Sequence, residues 1–299
     1  MSQRTLGMIG LGRTGLPVAF NLLARGHAVV GYRRSDAADL VRAGGRAARS
    51  PREVADSADI ILSLLPSAAA LDDVMTGEHG LLAGLGPRHT VVELSSYPLA
   101  VKERYRDLVA ARGATLLDGE ISGTPAMTAS RTAVVLVAGD RTRCEAVLDV
   151  CRDATDHAIY AGAFGSATRL KLVANLLVAV HTAAAAEALL LVERIGLDVP
   201  LAIEVLGLGA GSSAMFRARA ASMAARRFVD PAPGPVSMLS AYLPAIDALA
   251  ASAGAPVPLF SAAAELLRAA LGEGRGDQDI GCVIELLDAA NPPTKGTRS

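Results

Sequence analysis

The sequence predicts an α/β N-terminal half followed by an all-helical C-terminal half, and three observations carry that reading. Short β-branched runs alternate with helical stretches up to about Gly162. A glycine-rich turn joins the first run to the first helix, and beyond Gly162 helical periodicity continues almost without a strand signal. Strand–helix alternation builds a parallel sheet with helices on both faces, because each helix buries its apolar stripe against the sheet.

Taken in order, strands are expected at Leu6–Ile9, Ala28–Tyr32, Ile60–Leu64, Thr90–Leu94, Thr115–Leu117 and Ala133–Val137. Helices are expected between them at Gly15–Arg25, Asp36–Ala43, Ala68–Met75 and Leu99–Arg112. A long apolar helix begins after Gly165-Ser166 and runs to about Ile195, where Gly196 terminates it. Asp198 and Pro200 then cap and open the next helix. Within the long helix, Leu172–Val192 has the length of a membrane span, but Asn175, His181 and Glu187 interrupt it and Lys171 and Glu193 bracket it. A buried core or interface helix is therefore expected, with no membrane involved. Further helices are expected at Leu201–Leu206, Ser213–Ala225, Ser237–Ala253, Leu259–Ala270 and Gln278–Ala289, with a proline-rich loop at Asp230–Pro235 and a frayed tail from Asn291 to Ser299. The expected domains are residues 1–162 and 163–299, joined by the long helix.

Composition fits this division. A chain of 299 residues exceeds the usual single domain, and it is 51% hydrophobic with no Trp, which suits helices packed through small side chains. A net charge of −1 supplies no global basic field to attract nucleic acid or an anionic membrane. Cys144, Cys151 and Cys282 lack metal-ligand spacing, so no metal site and a reducing, cytoplasmic compartment are expected. Met1–Thr5 leads straight into a strand-like run without the apolar core of a signal peptide. The apolar faces of the helical half exceed what one small bundle buries, so a homodimer or homotetramer is expected.

The first chemical signal is Gly10-Leu11-Gly12-Arg13-Thr14-Gly15, which follows the first strand and opens the first helix. Gly10 permits a tight turn, Gly12 lets the backbone approach a pyrophosphate, and Gly15 lets helix and strand pack closely. The helix N-terminus then offers amides and a positive dipole end to phosphates. A purely structural turn is the alternative; placement at the start of an alternating domain favours a Rossmann-like dinucleotide site. At the end of the second strand, an NAD site would place an acidic residue against the ribose hydroxyl, whereas this chain has Arg33-Arg34-Ser35. Two guanidiniums and a hydroxyl suit a 2′-phosphate, so NADP is the expected cofactor, against the alternative of a solvated basic turn. Leu65 and Pro66, just past the third expected strand, complete the expected cofactor-binding set on this side.

The second signal is Gly165-Ser-Ala-Thr-Arg-Leu-Lys171-Leu-Val-Ala-Asn175. Lys171 and Asn175 are four apart, hence on one helix face. A lysine directed into an apolar cleft has a reduced pKa and exchanges protons near neutrality. On spacing alone, a surface lysine at a helix start is the simpler reading.

Together these segments resemble the β-hydroxyacid dehydrogenase family, which includes 3-hydroxyisobutyrate dehydrogenases and is related to 6-phosphogluconate dehydrogenases. The resemblance runs over nearly the whole chain. Gly10 to Gly15 is similar to the family's opening motif, with Thr14 where Met is common. Asp118-Gly-Glu-Ile-Ser122-Gly123-Thr124 is similar to its substrate-binding segment, usually Asp-x-Pro-Val-Ser-Gly-Gly, with Glu120 and Thr124 departing. Gly165 to Asn175 resembles the catalytic segment, and Glu93-Leu-Ser95-Ser96-Tyr-Pro98 the loop approaching the nicotinamide, with Ser96 where Thr is usual. Ser240-Ala241 stands where the family carries a Lys-Asp pair.

The resemblance implies Lys171 as general acid/base, and Ser122, Gly123, Thr124 and Asn175 as the holders of a small substrate bearing a carboxylate. It implies Ser96 beside the cofactor, and interconversion of a 3-hydroxy acid with its semialdehyde. Imine reduction on the same architecture and a non-catalytic NADP-binding scaffold are the rivals. His181 reads as core or interface and His27 as a structural cap; helix capping explains Asp277 or Asp279, and Arg217, Arg219, Arg226 and Arg227 read as solvated helix faces.

Overall fold

The computed structural model describes residues 4–229, 232 and 234–290. The expected frayed tail, Met1–Gln3 and part of the Asp230–Pro235 loop lie outside the described residues. Two compact units divide the chain at 1–171 and 172–299.

The first unit is built on strands β1 (Thr5–Ile9), β2 (Ala28–Tyr32), β3 (Arg46–Ala47), β4 (Ile60–Ser63), β5 (Thr90–Glu93), β6 (Thr115–Ser122), β7 (Val134–Ala138) and β8 (His157–Gly162). Its helices are α1 (Gly15–Ala24), α2 (Ala38–Arg42), α3 (Pro51–Ser57), α4 (Ala68–Thr76), α5 (Leu99–Ala110), α6 (Pro125–Ala129) and α7 (Arg141–Ala154). The strands form one sheet in the order β3-β2-β1-β4-β5-β6-β7-β8.

All pairs are parallel except β6–β7, which is antiparallel from Asp118↔Ala138 to Ser122↔Val134. The expected parallel sheet is corrected there, for a geometric reason. The link between these strands, residues 123–133, holds only the short α6 and is too brief for a crossover. The following link contains α7, long enough to cross, and β8 returns parallel to β7.

Strands buried on both faces read as nearly continuous apolar runs. On one face Leu6, Met8, Leu62, Val92 and Leu117 pack with Val18 and Leu22 of α1 and Val147 and Cys151 of α7. On the other Ile9, Ile61, Val91 and Leu116 pack with Val54 of α3, Leu71 of α4, and Tyr105 and Val109 of α5. The elements absent from the sequence expectation are short, half-exposed or charge-rich. β8 has no buried residue, and α7 interleaves Arg, Asp and Glu with its buried stripe. α3 carries a local signal nonetheless: Ser50 accepts from the Glu53 amide at 3.2 Å, with Pro51 in the first turn.

The long helix α8 (Ser166–Arg194) begins in the first unit and continues into the second, which adds α9 (Val199–Leu208), α10 (Ala214–Ala224), α11 (Val236–Ser240), α12 (Leu243–Ala253), α13 (Pro258–Gly272) and α14 (Val283–Ala290). The single helix expected over Ser237–Ala253 is two. Pro244 has no N–H to give and its ring clashes with the carbonyl four residues back, so α11 ends at Ser240. Leu189, Phe216, Met223, Leu239, Ile246, Phe260, Leu267 and Ile284 are buried in this unit's core, while Leu201, Val205 and Leu208 of α9 are exposed. Two arginines expected on solvated faces are ion-paired instead: Arg219 with Asp279 at 2.8 Å and Arg226 with Glu193 at 2.7 Å. Asp279 also accepts from the Gly281 amide at 2.9 Å, capping the short turn before α14. In the first unit His27 hydrogen-bonds to Asp153 at 2.9 Å, both buried, which makes it a structural residue bridging to α7 rather than the cap expected.

The opening glycines differ in what they bear. A Cβ on Gly15 would lie 2.0 Å from the Gly10 carbonyl oxygen, whereas one on Gly12 would meet nothing within 4 Å. Gly15→Ala is therefore expected to lower stability by about 2 kcal/mol, the scale of a forced overpacking, and Gly12→Ala by under about 0.5 kcal/mol. Urea unfolding compares the two; equal midpoints would contradict the close approach of α1 to the Gly10 turn.

Candidate active site

The sheet order reverses between β1 and β4, and in open α/β sheets ligands bind beyond the C-terminal strand ends at such a point. A groove of about 720 Å³ lies there, lined by Gly10 to Gly15, Tyr32 to Ser35, and Leu64 to Pro66. Gly10 has φ +89°, and a Cβ there would strike the Leu64 carbonyl oxygen at 2.1 Å, so only glycine permits this turn. No side chain caps α1, which leaves the positive end of that helix facing the groove.

These residues fit a dinucleotide: an open glycine backbone, a free helix N-terminus and a basic rim. The two arginines of that rim are unequal. Arg33 is tied down on the protein, donating to the carbonyls of Asp36 in its own loop and, at 3.2 Å, of Leu11 in the glycine turn, with Asp39 of α2 3.6 Å away. Arg34 and Ser35 are exposed, and no ion pair engages Arg34 among the described residues. The turn after β4 is braced from below: Ser95 Oγ accepts from the Leu65 amide at 2.8 Å, and the Tyr97 hydroxyl donates to the Leu65 carbonyl at 3.0 Å. Ser96 itself is not part of the groove's lining; its hydroxyl donates to Glu120.

Glu120 belongs to a buried ionic cluster. Asp118 and Glu120 alternate onto one face of β6, opposite Lys102 on the buried stripe of α5 that also carries Tyr105 and Val109. The Lys102 ammonium, with side-chain exposure of 0%, donates to Asp118 Oδ1 and Glu120 Oε1 at 3.0 Å each and to the Gly119 carbonyl at 2.7 Å. Desolvating an ion costs several kcal/mol, and three short bonds to two carboxylates and a carbonyl offset that here. Burial pulls the Lys102 pKa down, but Glu120, Asp118 and Glu93 together hold it above the usual lysine value.

Asp118 has a second task. It accepts from the Thr168 amide at 3.0 Å and the Thr168 hydroxyl at 2.7 Å, so a carboxylate on β6 caps the first turn of α8. Lys171 follows Thr168 by three residues. Its Nζ donates to the Ile121 carbonyl at 2.9 Å, at the end of β6 where Ser122 and Gly123 come next. Gly123 has φ +152°, and a Cβ there would stand 3.0 Å from that of Ala133.

The titratable groups oppose one another. Burial lowers the Lys171 pKa, and the charge of Glu120 counters that. Burial raises Glu120 to about 7, against Lys102, Ser96 and Lys171, which favour its ionised form. Glu93 is raised by burial, and its Oε2 has no hydrogen-bond partner.

Among the expected substrate residues, Thr124 caps α6, its hydroxyl accepting from the Met127 amide at 3.2 Å. Asn175 lies one helical turn after Lys171 with its side-chain nitrogen buried and unpartnered. Ser240 ends α11 with its hydroxyl likewise buried and unpartnered. Sequence reasoning missed Lys102 and Thr168. The signal for Lys102 was a lysine in register with Tyr105 and Val109 on an otherwise apolar helix stripe.

Lys102→Met would strand two buried carboxylates. A loss of about 3–5 kcal/mol is expected, read as a lower urea midpoint at neutral pH. A loss under about 1 kcal/mol would show that the cluster is solvated.

Comparison with known proteins agrees with this geometry. Residues 5–162 match the family described as the NAD binding domain of 6-phosphogluconate dehydrogenase, and residues 165–287 match NAD-binding of NADP-dependent 3-hydroxyisobutyrate dehydrogenase. Glyoxylate/succinic semialdehyde reductase 2 of Arabidopsis thaliana is 28% identical over 96% of this chain and 80% of its own length. L-threonate dehydrogenase of Cupriavidus necator is 28% identical over 98% of this chain and 99% of its own. The crystal structure of a 3-hydroxyisobutyrate dehydrogenase from Salmonella typhimurium superposes with a TM-score of 0.83 at 25% identity, covering 95% of this chain and 100% of that one. The chain belongs to the β-hydroxyacid dehydrogenase family of oxidoreductases, with a nicotinamide-dinucleotide-binding domain at its N-terminus.

Proposed function

We propose that the chain is an NADPH-dependent reductase of a small carbonyl compound bearing a carboxylate, forming the corresponding 3-hydroxy acid, with Lys171 as general acid. The observation that carries the reading is Lys171 itself: an amine desolvated on the first turns of α8 and bonded to the Ile121 carbonyl, directly before Ser122-Gly123. The relatives' names supply the substrate class, since succinic semialdehyde, L-threonate and 3-hydroxyisobutyrate are all small molecules carrying a carboxylate.

A bound reduced nicotinamide supplies the hydride. As a carbonyl carbon accepts it, the carbonyl oxygen gains negative charge, and the Lys171 ammonium stabilises and then protonates that oxygen. Ser122, through its hydroxyl, and Gly123, through its amide, are assigned to the substrate carboxylate. Asn175, one turn after Lys171 on the same helix, keeps an unpartnered buried nitrogen able to bond a ligand oxygen. In the oxidative direction, neutral Lys171 removes the hydroxyl proton.

NADP is assigned over NAD because the rim beyond β2 ends in Arg34 and Ser35, with no acidic side chain in the groove's lining there. With Arg33 already committed to its loop, Arg34 carries the 2′-phosphate and Arg33 shapes the turn that presents it. NADPH is accordingly expected to bind at least tenfold more tightly than NADH, with Arg34→Ala erasing most of the difference, about 1.5–3 kcal/mol for a charge-assisted contact. Calorimetric titration measures both, and a panel of semialdehydes followed at the nicotinamide absorbance band identifies the substrate. Equal affinities in the parent protein would overturn the cofactor assignment, and no turnover of any carboxylate-bearing carbonyl would overturn the substrate class.

A further inference from the structure

The chain has three lysines against 26 arginines, and two of the three, Lys102 and Lys171, converge on Glu120. We propose that Glu120 is a positioning residue that keeps Lys171 protonated at neutral pH, making the site a proton donor suited to carbonyl reduction. This rests on the reading of Lys171 as the general acid.

The geometry fixes where the charge of Glu120 can be. Its Oε1 is held by Lys102 Nζ at 3.0 Å and its Oε2 by the Ser96 hydroxyl, so the carboxylate cannot turn away. It directly precedes Ile121, whose carbonyl accepts from Lys171 Nζ at 2.9 Å. A buried, immobile carboxylate therefore stands one residue along the same strand from the backbone group that holds the Lys171 amine.

The surrounding charges leave Lys171 as the partner. Lys102 faces the site from α5 and Asp118 from β6. Glu93 faces it from β5, pushed toward its neutral form by burial. Tyr97, from the loop after β5, is raised far above neutrality by burial, as is Cys144 of α7 near Asp118. Two carboxylates, Asp118 and Glu120, thus share one internal cation, Lys102. Asp118 also receives the amide and hydroxyl of Thr168, while Glu120 has only a serine hydroxyl besides. The other cation whose charge acts on Glu120 is the ammonium of Lys171. Desolvation lowers the proton affinity of Lys171, and the carboxylate of Glu120 is the group that opposes it.

The proton balance of the reductive step follows. The hydride brings two electrons to the carbonyl carbon, the π pair of the C=O bond moves onto oxygen, and that oxygen takes a proton from Lys171 Nζ. Lys171 is left neutral beside Glu120, whose own proton affinity rises when the neighbouring positive charge is lost, so the pair as a whole regains a proton from solvent before the next turnover.

Glu120→Gln tests this, because the amide keeps the shape and the contact with Ser96 while Lys102 retains Asp118. Trace acetic anhydride, followed by mass spectrometry of the peptide carrying Lys171, reads the titration of this amine whether or not the protein turns over. The midpoint of Lys171 is expected to fall by about one pH unit, a tenfold change in proton affinity, and Glu120→Asp, which keeps the charge, should move it by less than half as much. The alkaline limb of kcat/KM for carbonyl reduction should fall with it. An unmoved midpoint in Glu120→Gln, or equal shifts in the Gln and Asp variants, would overturn the proposal. A midpoint that moves while the alkaline limb stays in place would instead overturn Lys171 as the general acid, and with it this role, while leaving the coupling of the two groups standing.

Discussion

An ammonium ion without solvent contact is tolerable only where its bonds are replaced one for one, and Lys102 meets that condition at the centre of the first unit. The requirement reaches outward from that one side chain. It obliges Asp118 and Glu120 to face α5, fixes β6 against that helix, and leaves Asp118 free to cap α8 at Thr168. Through α8 it sets where Lys171 emerges, and through Ser96 it reaches the loop whose neighbours Ser95 and Tyr97 brace the Leu65 turn of the cofactor groove. One ionic cluster thus ties the cofactor side of this unit to the proposed proton donor.

The same cluster departs from the pattern that the family resemblance implies at the level of single residues. Glu120 stands where a proline is usual, and its carboxylate has a structural counterpart in Lys102. Such a pair is costly to keep, since well-packed apolar residues of similar volume are often as stable as a buried ion pair. A charge retained at that cost beside a desolvated lysine fits a role in tuning proton affinity better than a role in stability alone.

Much of this was legible in the sequence, where the signals are local. The Gly10–Gly15 turn, the strand–helix alternation and the Lys171–Asn175 spacing each depend on a few neighbouring residues, and the corresponding elements begin within about two residues of their expected starts. The antiparallel β7 is visible in hindsight as an eleven-residue link too short to cross the sheet, and the break after Ser240 as Pro244 four residues on. The ionic cluster was not legible as a unit, because Lys102 meets partners 16 and 18 residues away on another element. Glu120 could be seen only as an anomaly, and Arg33 and Arg34 looked equivalent until the fold showed Arg33 bonded to the carbonyls of Asp36 and Leu11.

The most direct test of the account is the chemical step with Lys171 replaced. Lys171→Met preserves side-chain volume and leaves the groove untouched, so NADPH should bind as in the parent. Single-turnover oxidation of bound NADPH by a carboxylate-bearing semialdehyde should slow by at least about a hundredfold, the scale of a lost general acid, and lose the alkaline limb of its pH dependence. A variant that keeps more than about a tenth of the parent rate, with its pH dependence intact, would show that the proton comes from elsewhere.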